Sequence, residues 1–194
     1  MKISACGPAN CSLRDEYPLA RMDKLKQKGN LSNLVLAGLR LGGTLAMMAA
    51  ENRKDVNGVI LWEPVVNGRK FLKELNWLQS RYIESMHREY RRLYKGNPSL
   101  NEILGFDLTS SLTKDLKKLD LMSQFRLQNN DILFLLNEST FNYNGFLDFL
   151  INSQNKLTLK VVEEQMFWLE RPYKALVPVR SIRTIISWLS NRVK

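Results

Sequence analysis

The sequence is poor in the residues that most often build metal and redox sites. It has two cysteines and one histidine in 194 residues. Cys6 and Cys11 have a C-x4-C spacing, which matches neither a zinc pair nor a redox pair. The single histidine, His87, excludes metal centres that need several imidazoles. We therefore expect no metal site and no cofactor.

Long hydrophobic segments are also missing. No apolar run reaches the roughly 18 residues that a membrane-spanning helix needs, and the N-terminal segment lacks the apolar core of a signal peptide. The length of 194 residues fits one domain over 1–194. These absences predict a single-domain cytoplasmic protein without a membrane span.

Acidic residues are outnumbered by basic ones, so that the net charge is +10 and the sequence pI is about 9.7. Such a chain attracts anions, and a small anionic ligand or an acidic glycan is the partner that we expect. The charge is spread along the chain and no recognised nucleic-acid motif accompanies it. We therefore do not expect a nucleic-acid partner.

Four short apolar runs alternate with helical patterns. The runs lie at 34–38, 58–62, 131–136 and 156–162, and the last alternates in the manner of an edge strand. This alternation predicts an α/β fold whose sheet is parallel and follows the chain order, with right-handed crossovers.

The helical patterns fill the spaces between these runs. Helices are predicted at 13–28, 42–53, 68–96, 143–154 and 177–194, and two shorter ones within 98–121, on either side of Gly105. Thr109 or Ser110 is a suitable N-cap for the second of these short helices.

One stretch carries a functional signature. "GLRLG" at 38–42 follows the first strand and opens an alanine-rich helix. A strand, a glycine-flanked turn and a helix form a nucleophile elbow, in which the central side chain stands above the sheet. Here the central residue is Arg40, where a serine is expected.

The sequence resembles the α/β-hydrolases, and within them the serine-aminopeptidase-like hydrolases that include the exosortase-associated ones. Three segments carry the resemblance over roughly 13–194: "LVLAGLRLGGTLA", "VILWEPVVNGRKFLKEL" and "FWLERP". It implies a partial α/β-hydrolase fold with a mostly parallel sheet and a helical lid insertion at about 66–122. It also implies an N-terminally truncated chain, whose first strand becomes an exposed sheet edge that favours self-association.

The resemblance places the other triad positions. The acid follows the third strand, near Asn137 or Glu138, and the base follows the last strand, near Gln165 and Met166. Neither of the last two residues is a histidine, and His87, which lies in the insertion, is interpreted as a solvated helix residue. We therefore expect no working serine triad.

Two roles are open for Arg40. In the first, Arg40 binds a carboxylate or phosphate between its neighbours Leu39 and Leu41, close to Glu138. In the second, it forms an internal ion pair with Glu138, or otherwise with Glu163 or Glu164. We favour the ion pair, because a buried arginine needs an anion and the acid position offers one.

The insertion carries a basic face that has two interpretations. It either binds an acidic partner or is a solvated face balanced by Glu84 and Glu89, and the second is favoured. The basic residues of this face have helical spacing and are Arg81, Arg88, Arg92 and Lys95, with Tyr82, Tyr90 and Tyr94 between them.

By resemblance, then, the function is hydrolysis of an ester or amide bond, although the triad residues are missing. The alternative is a non-catalytic binding or accessory protein, in which the former active-site pocket or the basic insertion holds an anionic ligand or partner.

Overall fold

The computed structural model describes residues 17–29, 34–51, 53–85, 88, 92, 102–104, 106–126, 130–138, 143–165 and 176–192. Within these ranges, no helix is both long enough and apolar enough to cross a membrane.

A four-stranded parallel sheet forms the centre of the fold. Its strands are β1 (Leu34–Leu39), β2 (Val56–Trp62), β5 (Asp131–Asn137) and β6 (Lys156–Val162), and they lie side by side in that order. The predicted parallel sheet in chain order is therefore confirmed. β1 and β6 are the two edges of the described sheet.

The central strands contain most of the core. In β5 the residues from Ile132 to Leu135 are fully buried, and Val59 to Leu61 of β2 are at most 1% exposed. A parallel strand is covered on both faces, which explains why these strands are continuous apolar runs in the sequence.

Seven helices occur in the described ranges: α1 (Tyr17–Gly29), α2 (Leu41–Glu51), α3 (Gly68–Ser85), α4 (Ser110–Lys118), α5 (Leu121–Gln124), α6 (Asn144–Ile151) and α7 (Val179–Ser190). Pro18 lies in the first turn of α1, where its missing amide hydrogen has no helical partner to lose. Beyond Ser85, most of the predicted helix at 68–96 falls outside the described residues.

The sequence prediction of two short helices within 98–121 is wrong for the first of them. In place of the first short helix, β3 (Glu102–Ile103) and β4 (Phe106–Asp107) pair as an antiparallel hairpin. Leu104 in its turn has a φ of 55°. The second helix, α4, is present, and the Thr109 side chain caps it by accepting a hydrogen bond of 3.2 Å from the Leu112 amide.

The described residues divide into two compact units, one within 67–120 and the other formed by 17–66 and 121–192. In the first, α3 begins against α4 so closely that a Cβ on Gly68 would lie 1.9 Å from the Leu116 carbonyl oxygen. The ends of this unit meet, because the Gly68 amide donates to the Leu119 carbonyl at 3.0 Å. In the second unit, the Leu121 amide donates to the Val66 carbonyl at 2.9 Å.

A charged cluster joins α1 to the loop before β2. Arg53 contacts Asp55 at 2.6 Å and Asp23 at 2.7 Å, and Lys26 contacts Asp55 at 2.8 Å. The hydrogen bonds from Arg53, followed by those from Lys26, hold the pKa of Asp55 far below its ordinary value. The cluster therefore stabilises the ionised form of Asp55.

Candidate functional site

The turn between β1 and α2 has the backbone geometry of an elbow. Arg40 stands alone between the strand and the helix and has a φ of 52°, in the left-handed region. An L-residue loses about 1–2 kcal/mol in this conformation. The turn therefore holds Arg40 in a position that few residues adopt without support from their surroundings.

Backbone hydrogen bonds supply that support. The Arg40 amide donates to the Trp62 carbonyl at 2.9 Å. The Arg40 carbonyl accepts from Gly43 at 3.0 Å and from Thr44 and Val65 at 3.3 Å. The elbow is thus tied both to its own helix and to the residues that follow β2.

Two glycines allow the strand and helix to approach so closely. A Cβ on Gly38 would lie 2.1 Å from the carbonyl carbon and oxygen of Gly42. A Cβ on Gly43 would lie 2.9 Å from the Gly38 carbonyl oxygen, whereas one on Gly42 would meet nothing within 4 Å. The sequence pattern pointed to Gly38 and Gly42, but the second glycine that the packing requires is Gly43.

The Arg40 side chain is half-buried at the carboxyl ends of the strands, and Leu39 and Leu41 beside it are also half-buried. Its Nη1 donates to the Glu63 carbonyl at 3.5 Å, a long contact. Across the described ranges, Arg40 forms no ion pair with Glu138, which the sequence named as its first partner.

The two other carboxylates that the sequence named as partners of Arg40, Glu163 and Glu164, contact the start of the last helix, α7. The Glu164 carboxylate accepts hydrogen bonds from the amides of Arg180 at 2.9 Å and Ser181 at 3.2 Å, and also from the Ser181 hydroxyl. Glu163 lies 3.7 Å from the Arg180 guanidinium. Because α7 begins with unsatisfied amides, a carboxylate is stabilised there, and this explains why Glu164 does not pair with Arg40 as the sequence suggested. Glu163 pairs with the Arg180 side chain instead.

Glu63 is a site residue that the sequence analysis did not identify. It follows β2, is 1% exposed and has a φ of 44°. Its amide donates to the Leu135 carbonyl at 3.0 Å, and its carboxylate accepts from the Asn137 amide at 2.8 Å. The signal was present as an acid between Trp62 and Pro64 at a strand end.

The loop after β2 is fixed from two sides. The Thr44 hydroxyl donates to the Val65 carbonyl at 2.8 Å, and the Tyr143 hydroxyl donates to the Pro64 carbonyl at 2.9 Å. The Tyr143 ring packs edge-on against Phe134, with ring centroids 5.5 Å apart. Side-chain hydrogen bonds therefore hold the residues that follow Glu63, whose own carbonyl contacts Arg40.

The two candidates for the acid position differ in burial. Asn137 is 7% exposed and its side-chain amide donates to the Glu164 carbonyl. Glu138 is exposed, and its amide donates to the Val162 carbonyl at 3.0 Å, which continues the sheet ladder. The buried carboxylate at this edge is thus Glu63, which directly follows the neighbouring strand β2.

The remaining predicted positions, which are Met166, His87, Cys6 and Cys11, lie outside the described residues. Within the described part, no group of three or more potential metal ligands occurs. What the structure brings together is a guanidinium, a buried carboxylate and the amino end of α2. This arrangement has donors for an anion but no hydroxyl at the elbow.

No protein-family model matches the sequence, and no curated protein is significantly similar to it. The structure, in contrast, is similar to solved structures of esterases and hydrolases. An esterase from Pyrococcus furiosus matches with a TM-score of 0.53 and 11% identity over 94% of this chain and 60% of that one. A carboxylesterase from Nitrososphaera gargenis matches with a TM-score of 0.55 and 13% identity, over 93% of this chain and 72% of its own.

A third similar structure is Est1E from Butyrivibrio proteoclasticus with ferulic acid bound, which has a TM-score of 0.56 and 15% identity over 90% of this chain and 67% of that one. This chain therefore spans about 60 to 72% of the length of these proteins. At such identities the similarity establishes the fold, and the fold is a partial α/β-hydrolase fold with a mostly parallel sheet.

Proposed function

We propose that this chain is an α/β-hydrolase-like protein that uses its elbow to bind an anionic ligand and does not hydrolyse esters or amides by the serine mechanism. One observation carries the proposal: Arg40 occupies the elbow position with a φ of 52°, directly between β1 and α2. The similarity to solved esterase structures supports the hydrolase class. The arginine at the elbow supports the loss of the serine mechanism.

The serine mechanism needs a hydroxyl and a base within hydrogen-bond reach of each other. A guanidinium has donors only and stays protonated, so Arg40 can take neither role. At the position that the resemblance assigns to the base, the sequence has Gln165 and Met166. Replacing Arg40 by serine would therefore restore a hydroxyl without its activating partner.

The position of Arg40 suits ligand binding. Open α/β sheets bind ligands beyond the carboxyl ends of their strands, which is where the elbow side chain leaves the backbone. A guanidinium is planar and donates two parallel hydrogen bonds to a carboxylate or a phosphate. The ligand that we propose for the elbow is a small carboxylate, since a carboxylic acid is the product of ester hydrolysis in this fold.

Ferulate is a suitable probe, because it is a carboxylate and because Est1E was solved with ferulic acid bound. Titration calorimetry should detect saturable binding by the unaltered chain and a loss of about tenfold or more in Arg40→Met, since one charge-assisted hydrogen-bond pair is worth about 1.5–3 kcal/mol. Lys54→Met is the matched control, because Lys54 is exposed and loses the same charge. Absence of saturable binding, or equal weakening by both variants, contradicts the proposal.

Ester turnover tests the other half of the proposal. With p-nitrophenyl acetate, the unaltered chain and Arg40→Ser should both hydrolyse at the background rate. Turnover above background that survives in Arg40→Met would show that chemistry occurs elsewhere in the chain.

The internal role of Arg40 is the second candidate, and its long contact with the Glu63 carbonyl favours it. If Arg40 is structural, Arg40→Met should lower the free energy of unfolding by about 1 kcal/mol or more, as expected when a half-buried charged donor loses its hydrogen bonds. A variant that keeps its stability and loses ferulate binding supports the ligand role instead.

A further inference from the structure

A second charged region lies away from the elbow, between the edge strand β6 and the last helix α7. The two elements enclose an open groove with a volume of about 610 Å³. Both elements belong to the same compact unit. This groove is separate from Arg40 and from Glu63, which do not line it.

The sequence pattern explains which side chains face the groove. Lys156, Thr158 and Lys160 are alternate residues of β6 and therefore lie on one face of the strand. On α7, residues with helical spacing line the opposite wall. They are Arg183, Thr184, Ser187 and Trp188, with Asn191 beyond the helix end.

Contacts at both ends of α7 hold the helix beside β6, so the fold itself forms the groove. At its start the Glu164 carboxylate accepts the Arg180 amide at 2.9 Å. Just after its end, Arg192 forms an ion pair of 2.8 Å with Asp131 and donates to the Asn57 carbonyl at 2.9 Å. Arg192 also packs over the Trp188 ring at 4.4 Å, and both residues line the groove.

The charges in the groove are unbalanced. Asp131 is the acidic residue of the lining, and Arg192 already neutralises it. Lys156, Lys160 and Arg183 form no ion pair with any residue in the part of the chain that the structure describes. Three cations that face one space repel each other unless an anion lies between them.

We propose that this groove binds a phosphate group of a small molecule. Lys160 and Arg183 contribute charge from opposite walls, and the hydroxyls of Thr158 and Ser187 add hydrogen-bond donors between them. Phosphate oxygens accept several such bonds at once. The volume lies in the range of roughly 300–1,000 Å³ that small-molecule sites have.

Inorganic pyrophosphate is the probe, titrated by calorimetry at physiological ionic strength. We expect saturable binding that the double variant Lys160→Gln with Arg183→Gln weakens by about tenfold or more. The matched control is Lys24→Gln with Lys54→Gln, which removes the same charge from exposed residues outside the groove. It should change the affinity by no more than about two- to threefold, the size of a screened long-range effect.

Three results would overturn the proposal. They are pyrophosphate binding that does not saturate, equal weakening by the groove variant and its control, and tighter groove-dependent binding of a short single-stranded oligonucleotide. Thermal melts of both double variants should match the unaltered chain, since Lys160 and Arg183 are exposed.

Arg40→Met separates this groove from the elbow. It should leave the pyrophosphate affinity unchanged, whereas the groove variant should leave ferulate binding unchanged. Loss of pyrophosphate binding in Arg40→Met would place the phosphate site at the elbow and so contradict the groove assignment.

Discussion

Gly38→Ala is the substitution that tests the elbow most directly. Carbon atoms in contact prefer a separation of about 3.5–4.0 Å, but the added Cβ would lie 2.1 Å from the Gly42 carbonyl carbon. Because the obstructing atoms belong to the backbone, no rotamer change can relieve the overlap. The start of α2 would have to move away from β1 by more than about 1 Å.

That movement breaks contacts which hold the elbow. It would pull the Arg40 carbonyl from the amides of Gly43 and Thr44, which lie 3.0 and 3.3 Å away. Overpacking alone costs about 1–3 kcal/mol, and each neutral hydrogen bond adds about 0.5–1.5 kcal/mol. We therefore expect Gly38→Ala to lower the free energy of unfolding by about 2–6 kcal/mol.

The assay is thermal unfolding followed by far-ultraviolet circular dichroism. For a chain of this size, 1 kcal/mol corresponds to roughly 2–4 °C in Tm, so the expected fall is about 4–24 °C. Gly42→Ala is the matched control, because its Cβ meets nothing within 4 Å and the residue lies in α2. Alanine in a helix is favoured over glycine by about 0.5–1 kcal/mol, so the Tm of the control should stay level or rise. Equal stability of the two variants would refute the described approach of β1 and α2.

The remaining predictions concern other contacts. Asp55→Asn should destabilise the fold at neutral pH by about 1–3 kcal/mol. Because the folded pKa of Asp55 is lowered, its contribution is complete above the unfolded pKa of about 3.9 and is lost as the pH falls toward the folded value; urea unfolding across acidic pH should show the two chains converging, and a constant difference would contradict the ion cluster. Glu164→Gln should lower stability by about 0.5–2 kcal/mol through weaker capping of α7, with Glu163→Gln, whose carboxylate is exposed, as a nearly neutral control. β1 is an edge of the described sheet and carries Val35, which is 36% exposed, so we expect concentration-dependent self-association in analytical ultracentrifugation that Val35→Lys reduces; a monomer at all concentrations contradicts this.

The sequence predicted the sheet well because its strands are short, mostly apolar runs separated by helical patterns. After Asp131, the strand at 131–136 has no polar residue to pair or expose, so burial on both faces was the natural environment of its remaining residues. The hairpin at Glu102–Asp107 was missed because strands of two residues have no periodicity. Tertiary packing, and not local pattern, decides such short elements.

The site was predicted only in part. Arg40 and its turn follow from "GLRLG", because the spacing of glycines around a strand end is a local feature. Its environment is not local: Glu63 reaches the Asn137 amide across 74 residues, and Glu164 caps a helix that begins fifteen residues later. The sequence has four carboxylates at the strand ends, of which three were named from the sequence as candidates and Glu63 was missed, and only their burial and hydrogen bonds distinguish them.

The joined ends of the segment 67–120 affect how the sheet can assemble. β2 and β5 pair directly, although this whole segment lies between them in the chain. Closing a flexible loop of roughly 50 residues costs about 3 kcal/mol more than closing a two-residue turn, since each doubling of length adds about 0.6 kcal/mol. The bond between Gly68 and Leu119 brings the two ends together, so a segment that folds first reduces this entropic penalty for β5. The contact between Gly68 and Leu119 therefore favours an order of folding in which the segment 67–120 forms before the sheet is complete.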